Sequence, residues 1–200
     1  MTTLTATASQ KFACLLSESQ LSDDEKYLKI ECNKVFNTGS WIFSGSGWNR
    51  VHDVLAYQLR WPEPPKSVTN NQDKLLAWII KTLVPRIMSV LQTNNAIDLD
   101  KGTALIDAEL LIATHGKIFL IDVGFGVTPI NELFISGSGG KLALGALSGF
   151  YQLLPDKWIA EHDALSHIAI QQAIKYDLYS SGDIKGYKSY PSGKVEAVTF

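Results

Sequence analysis

Cysteine and charge excess are what this chain has least of. Only Cys14 and Cys32 occur in 200 residues. That is too few for a disulfide framework, and their spacing does not suit a metal site. A reducing cytoplasm is the expected setting. Lysine and arginine total 18 against 20 acidic residues, a net charge of −2, so nothing electrostatic points to nucleic acid or an anionic membrane. No continuous apolar run reaches the roughly 18 residues of a membrane span. The N-terminus lacks the basic and long apolar regions of a signal peptide. Histidine is scarce too. His52 and His115 stand alone, as expected of surface or hydrogen-bonded rings, and His162 and His167 are five apart on a helical pattern and point to different faces. No metal and no cofactor is expected. The glycine-rich run before Lys141 is no phosphate loop, because Ile135 and Leu142 stand where that loop needs glycine and a hydroxyl.

What is present is ordinary globular material, 46% hydrophobic and 19% charged, expected to form one domain over residues 1–200. Leu4, Ala6, Ala8, Phe12, Cys14 and Leu16 alternate with polar residues and predict two half-buried strands joined near Ser9-Gln10-Lys11. Ser22-Asp23-Asp24-Glu25 reads as a solvated loop. Short strands are expected at Tyr27–Cys32, Lys34–Phe36 and Ser40–Phe43, the last ending in a Ser44-Gly45-Ser46-Gly47 turn that can present backbone N–H groups. Helical spacing follows over Trp48–Trp61, then over Leu75–Leu91, where Pro85 should kink or divide the helix. A loop is expected over Thr93–Gly102. His115-Gly116 joins Glu109–Thr114 to Lys117–Val123 as a hairpin, with further strands at Val127–Pro129 and Leu133–Ser136. Two helices, Leu142–Leu154 and Trp158–Tyr176, precede a weakly stranded tail; Ile159, Leu165, Ile168, Ala169 and Ala173 are expected on the second helix's inner face. The five tryptophans suit core and helix packing. Runs of strands and runs of helices predict an α+β layered architecture.

The chemistry concentrates at the start. Thr2 follows the initiator Met. Once Met1 is removed, Thr2 carries a hydroxyl nucleophile and a free α-amine whose pKa, about 7.7–8.0, leaves it partly neutral at pH 7. Glu18 and Lys34 follow at equal intervals of sixteen residues. The order Thr2-Thr3-Leu4, Glu18-Ser19, Lys34-Val35, Ser44-Gly45-Ser46-Gly47, Gly137-Ser138-Gly139-Gly140 and Asp177-Leu178-Tyr179-Ser180 resembles the proteasome β-subunit and HslV group of N-terminal-nucleophile hydrolases. The resemblance runs from residue 2 to about residue 182.

It implies a four-layer αββα sandwich and a threonine-type peptidase. Thr2 would be the nucleophile, with its own amine as base through a water. Lys34 would favour developing negative charge, and Glu18 would hold Lys34. The Gly47 N–H would bind the oxyanion, while Ser138, Asp177 and Ser180 would support the amine and hydroxyl. Ser19, Gln20 and Ser46 would contact substrate, within the stretches Ser19–Ser22 and Ser46–Asn49 expected to line the pocket. The family's acid is normally Asp, so Glu18, one methylene longer, must sit differently to reach Lys34. The family often has Arg where Gln20 stands, and the segment from Lys34 to Gly47 is about one residue short. Peptide or unfolded protein is the implied substrate, a homo-oligomeric ring the implied assembly, and an ATPase partner is left open. A non-catalytic subunit of the same fold and an amidase for small substrates are the alternatives.

Overall fold

Alternating apolar residues at the chain start build a pair of antiparallel strands, β1 (Leu4–Ala8) and β2 (Ala13–Glu18). Both are buried along their whole length, not on one face only. The polar alternates Thr3, Thr5, Thr7 and Ser17 are as buried as the leucines. The reason is tertiary: one face meets a second sheet and the other meets helices. The computed structural model describes residues 2–23, 26–100 and 103–200.

Strands β3 (Gln20–Asp23) and β4 (Lys26–Glu31) form a small ladder. Ser22 and Asp23 therefore belong to a strand, while Asp24 and Glu25 of the expected acidic loop lie outside the described residues. Then come β5 (Val35–Thr38) and β6 (Trp41–Gly47). The Ser44–Gly47 turn is in fact the second half of β6, because those residues pair with Leu111 through Ala108. Helix α1 (Asn49–Tyr57) stops short of Trp61, and a four-residue helix α2 (Lys66–Thr69) lies between the two expected helices.

Gln72–Thr93 is one continuous helical rod built of α3 (Gln72–Trp78), a π-helical turn at Ile79–Leu83, and α4 (Val84–Thr93). Pro85 has no N–H to give to the preceding turn, and the wider π turn absorbs the defect just before it. By length and composition this rod could cross a membrane. Its Leu75, Ile79, Leu83, Ile87 and Leu91 are instead wholly buried in a core with Trp41, Phe43, Leu110 and Phe119. Only that side is covered, since Ile80 is exposed.

The expected loop after Thr93 contains β7 (Asp98–Asp100) and β8 (Thr103–Leu105). Strands β9 (Ala108–Thr114) and β10 (Lys117–Ile121) form the expected hairpin. Its turn has φ of 49° at His115 and 72° at Gly116, the pair of positive φ values a tight two-residue hairpin requires. Strands β11 (Val127–Ile130) and β12 (Leu133–Ser136) lead into helices α5 (Gly140–Leu153) and α6 (Pro155–Tyr176). On α6, Leu165, Ala169 and Ala173 are buried as expected, but Ile159 and Ile168 are exposed and Trp158, His162 and Ile170 take the inner positions. Trp48 is also exposed. Strands β13 (Ile184–Ser189) and β14 (Val195–Ala197) close the chain.

The result is α+β: one antiparallel sheet ordered β12-β1-β2-β13-β14 and another ordered β11-β10-β9-β6-β5. Leu4, Ala6 and Leu15 of the first sheet pack on Val35, Ile42, Leu111 and Ile118 of the second. Helices α5 and α6 cover the first sheet's outer side, and the Gln72–Thr93 rod covers the second. Such an arrangement is compatible with a sandwich. The start of β1, the end of β2, the approach to β5 and the end of β6 meet at one end of the paired sheets.

Candidate active site

Register places the first residues. Leu4 lies opposite Ser17 on one side and Ser136 on the other. Thr3 therefore falls beside Glu18, whose N–H donates to the Thr3 carbonyl at 3.3 Å, with a second bond from the Ser17 hydroxyl at 3.1 Å. Thr2 lies one step beyond. Gly137, at φ 93°, presses against it, and a Cβ there would lie 1.7 Å from the Thr2 carbonyl oxygen. No residue but glycine meets both demands.

Glu18 is wholly buried and fully engaged. One carboxylate oxygen accepts from the Lys34 ammonium at 2.6 Å and from the Thr3 N–H at 3.0 Å. The other accepts from the Gln20 N–H at 2.6 Å. A buried charge is tolerable only when paired and hydrogen-bonded in this way. The extra methylene that sets Glu18 apart from aspartate is thus taken up in a carboxylate that still reaches Lys34. Lys34 is held from its own side as well, because its carbonyl accepts from the Ser44 hydroxyl at 2.7 Å.

A second network flanks the first. Ser180 and Ser138 both donate to one oxygen of Asp177, at 2.6 and 2.8 Å. The single Ser180 proton is thereby committed, so Thr3, 2.6 Å away, donates its hydroxyl to Ser180. Asp177 caps the C-terminus of α6, and Gly139 opens the way for Thr3, since a Cβ there would sit 2.1 Å from the Thr3 hydroxyl. Across the two sheets, Ser136 donates to Glu109 at 3.0 Å and accepts from Ser46 at 2.6 Å. That link fastens the end of β6 to the strand that delivers Gly137.

Between these networks lies a cavity of about 210 Å³ lined by Thr2, Cys32, Asn33, Lys34, Phe36, Gly45, Gly47, Asn49, His52 and Asp53. Thr2, Lys34 and Gly47 therefore share one pocket, with Gly47 at φ 115°. Burial pushes the Cys32 thiol up, so it is no competing thiolate. Burial first, and then the Lys34 charge, push His52 down to about 4, leaving a neutral ring. Among the described residues no group of three metal-ligating side chains comes together.

The structure thus joins Glu18 to Lys34, and Ser138 and Ser180 to Asp177. It does not bring Ser19, Gln20 or Ser46 to the pocket wall. Ser19 is buried and accepts from the Asp183 N–H, Gln20 is buried, and Ser46 is bonded to Ser136. Of the stretch Ser46–Asn49, Gly47 and Asn49 do line it. Sequence reasoning misses His52 and Asp53. A signal exists, because Asn49, His52 and Asp53 share one face of α1 opposite Val51, Val54 and Leu55. A separate cavity of about 440 Å³ opens near Ser9, Lys117 and Trp158, at the far end of β1.

No protein-family model matches the chain. No curated protein matches it either. Among solved structures it is similar to Thiobacillus denitrificans BPH, at 16% identity and a TM-score of 0.70, covering 96% of this chain and 100% of that one. The complex of Thiobacillus denitrificans BPH with epoxomicin is similar at the same identity and TM-score, covering 94% and 98%. At that identity the likeness is one of fold, and over nearly its whole length this chain has the fold of that protein.

Proposed function

We propose that this protein is a threonine-type peptidase with a proteasome-like, four-layer αββα N-terminal-nucleophile fold, acting through Thr2 once Met1 is removed. The observation that carries the reading is the pocket shared by Thr2, Lys34 and Gly47, with the ammonium anchored on buried Glu18. Met1 itself lies outside the described residues. The solved epoxomicin complex of the similar protein supports a hydrolase of this type.

In the reaction, the Thr2 oxygen attacks the peptide carbonyl carbon as its proton passes to the α-amine, directly or through a water. Lys34 stabilises the oxygen electrostatically, and the Gly47 N–H stabilises the tetrahedral oxyanion. The C–N bond then breaks, and the proton held on the amine leaves with the departing amine. Water repeats the sequence on the resulting ester and restores the Thr2 hydroxyl. Asp177, through Ser138 and Ser180, positions the backbone around Thr2 and Thr3. Peptides or unfolded proteins are the substrate class, the assembly is a homo-oligomeric ring, and the free thiols of Cys14 and Cys32 suit a cytoplasmic setting.

The test is Met-free protein, verified by intact mass, assayed on a mixed peptide library beside Thr2→Ala. The expected result is hydrolysis that falls by roughly 10³-fold or more in the variant, and a covalent adduct with a peptide epoxyketone that maps to Thr2. Equal rates in both proteins would end the reading.

A further inference from the structure

The cavity of about 440 Å³ at the far end of β1 holds chemistry that the proposed reaction does not use. Much of its lining is apolar. Trp158, only 3% exposed, contributes to it, and Tyr151 meets that ring edge-on with centroids 5.2 Å apart. Ile130 lines it as well, and so does Ile159, which stays 45% exposed. The surroundings are braced. The Gln72 side-chain amide donates to Asn131 at 2.8 Å, and the Ala8 N–H donates to the Glu132 carbonyl at 2.8 Å.

The lining carries one cation, Lys117, and one anion, Glu132. Register brings them near each other, because Ile118 pairs with Ile130 and the chain then passes through Asn131 to Glu132. Among the described residues, however, neither forms an ion pair with the other or with any third group. The Lys117 ammonium donates instead to the carbonyls of Thr69 at 2.8 Å and His115 at 3.4 Å. A lysine has three N–H donors, so one is left over. Burial also pushes Lys117 down, the mark of a cation short of a counter-charge. Glu132 takes the Tyr151 hydroxyl, a bond that pushes the phenol up. A carboxylate accepts several such bonds, so it too has capacity to spare.

We infer that this cavity binds a zwitterion with an apolar body, of the class of hydrophobic dipeptides and free amino acids whose two ends are unblocked. Lys117 takes the ligand's carboxylate, Glu132 takes its ammonium, and Trp158, Tyr151 and Ile159 take its side chains. A ligand of one sign gives a partner to one wall charge and covers the other without a partner, at a cost in desolvation. A ligand with both charges is complementary to both. An apolar cavity of this size with a few polar groups is typical of a small-ligand site. Because it lies at the opposite end of β1 from Thr2, the assignment holds whether or not Thr2 is a nucleophile.

The test is isothermal titration of Thr2→Ala protein, which would leave a peptide ligand intact, with Leu-Phe, N-acetyl-Leu-Phe, Leu-Phe amide and Gly-Gly. The expected result is saturable one-to-one binding of Leu-Phe, at least about 10-fold tighter than any of the other three. Glu132→Gln, a change at an exposed side chain, should abolish the margin over the N-acetyl form and keep the margin over the amide. Lys117→Met, checked for folding by circular dichroism, should do the reverse. No binding of Leu-Phe, equal binding of the blocked forms or of Gly-Gly, or margins that survive in Glu132→Gln would each overturn the inference.

Discussion

At the scale of single residues, Glu18 and Gly137 decide whether Thr2 is in place. Glu18→Gln keeps the shape but leaves the Lys34 ammonium without the carboxylate it contacts at 2.6 Å. Breaking a buried pair from one side costs about 3 kcal/mol or more, so urea unfolding should show a loss of that size and peptide hydrolysis should fall by at least about 10²-fold. Gly137→Ala should be as damaging without touching any charge. Its new methyl would collide with the Thr2 carbonyl at a φ of 93°, and thermal unfolding should register at least roughly 3 kcal/mol. The order of Thr2, Glu18 and Lys34 is legible in the sequence through the family resemblance it carries, and the pairing of β1 with β2 then sets Thr3 beside Glu18. The setting of His52 is legible only in part: helical spacing puts it on one face with Asn49 and Asp53, but what that face meets shows only once β6 is laid beneath it.

At the scale of elements, the sequence speaks clearly where structure depends on local chemistry. The His115-Gly116 turn and the starts of β1 and β2 follow from turn residues and period-two patterning. Ser44–Gly47 misleads for a physical reason. Its glycines look like a turn, yet the segment continues β6 by pairing with Leu111 through Ala108, and it is glycine-rich because His52 and the Glu109 carbonyl crowd Gly45 and the Asp107 carbonyl crowds Gly47, contacts that sequence alone does not display. The half-buried reading of β1 and β2 errs likewise, since helices cover the second face and the buried Thr3 and Thr7 hydroxyls are hydrogen-bonded there, to Ser180 and to His162 and Ser166. The π turn before Pro85 is an element-level compromise with a clear test. Pro85→Ala restores an N–H able to donate to the Lys81 carbonyl, so hydrogen exchange should find that new amide protected. Stability should change by less than about 1 kcal/mol.

At the scale of the whole molecule, two buried imidazoles make folding sensitive to acid. Burial pushes His52 and His162 each down to about 4 from 6.5. His162 sits against Phe12, with Thr7 on its Nδ1 and its Nε2 unpaired; Asp163 only partly offsets the effect of burial. The unfolded chain binds these protons between about pH 6.5 and 4 and the fold does not. Stability is therefore complete above 6.5 and falls as pH drops through that window, by roughly 3 kcal/mol per ring at its lower end. Urea midpoints measured from pH 7 to pH 4 should decline, and His162→Phe should remove about half of this histidine-dependent slope.

The niche that Gly137 walls off has a practical corollary for anyone producing this protein. Any affinity tag fused ahead of Thr2 would tie up in an amide bond the α-amine that the proposed reaction uses, at a residue that lines the pocket shared with Lys34 and Gly47. Phe200, at the opposite terminus, is 58% exposed and stacks on His167 of α6, and a purification handle placed after it leaves the Thr2 amine free.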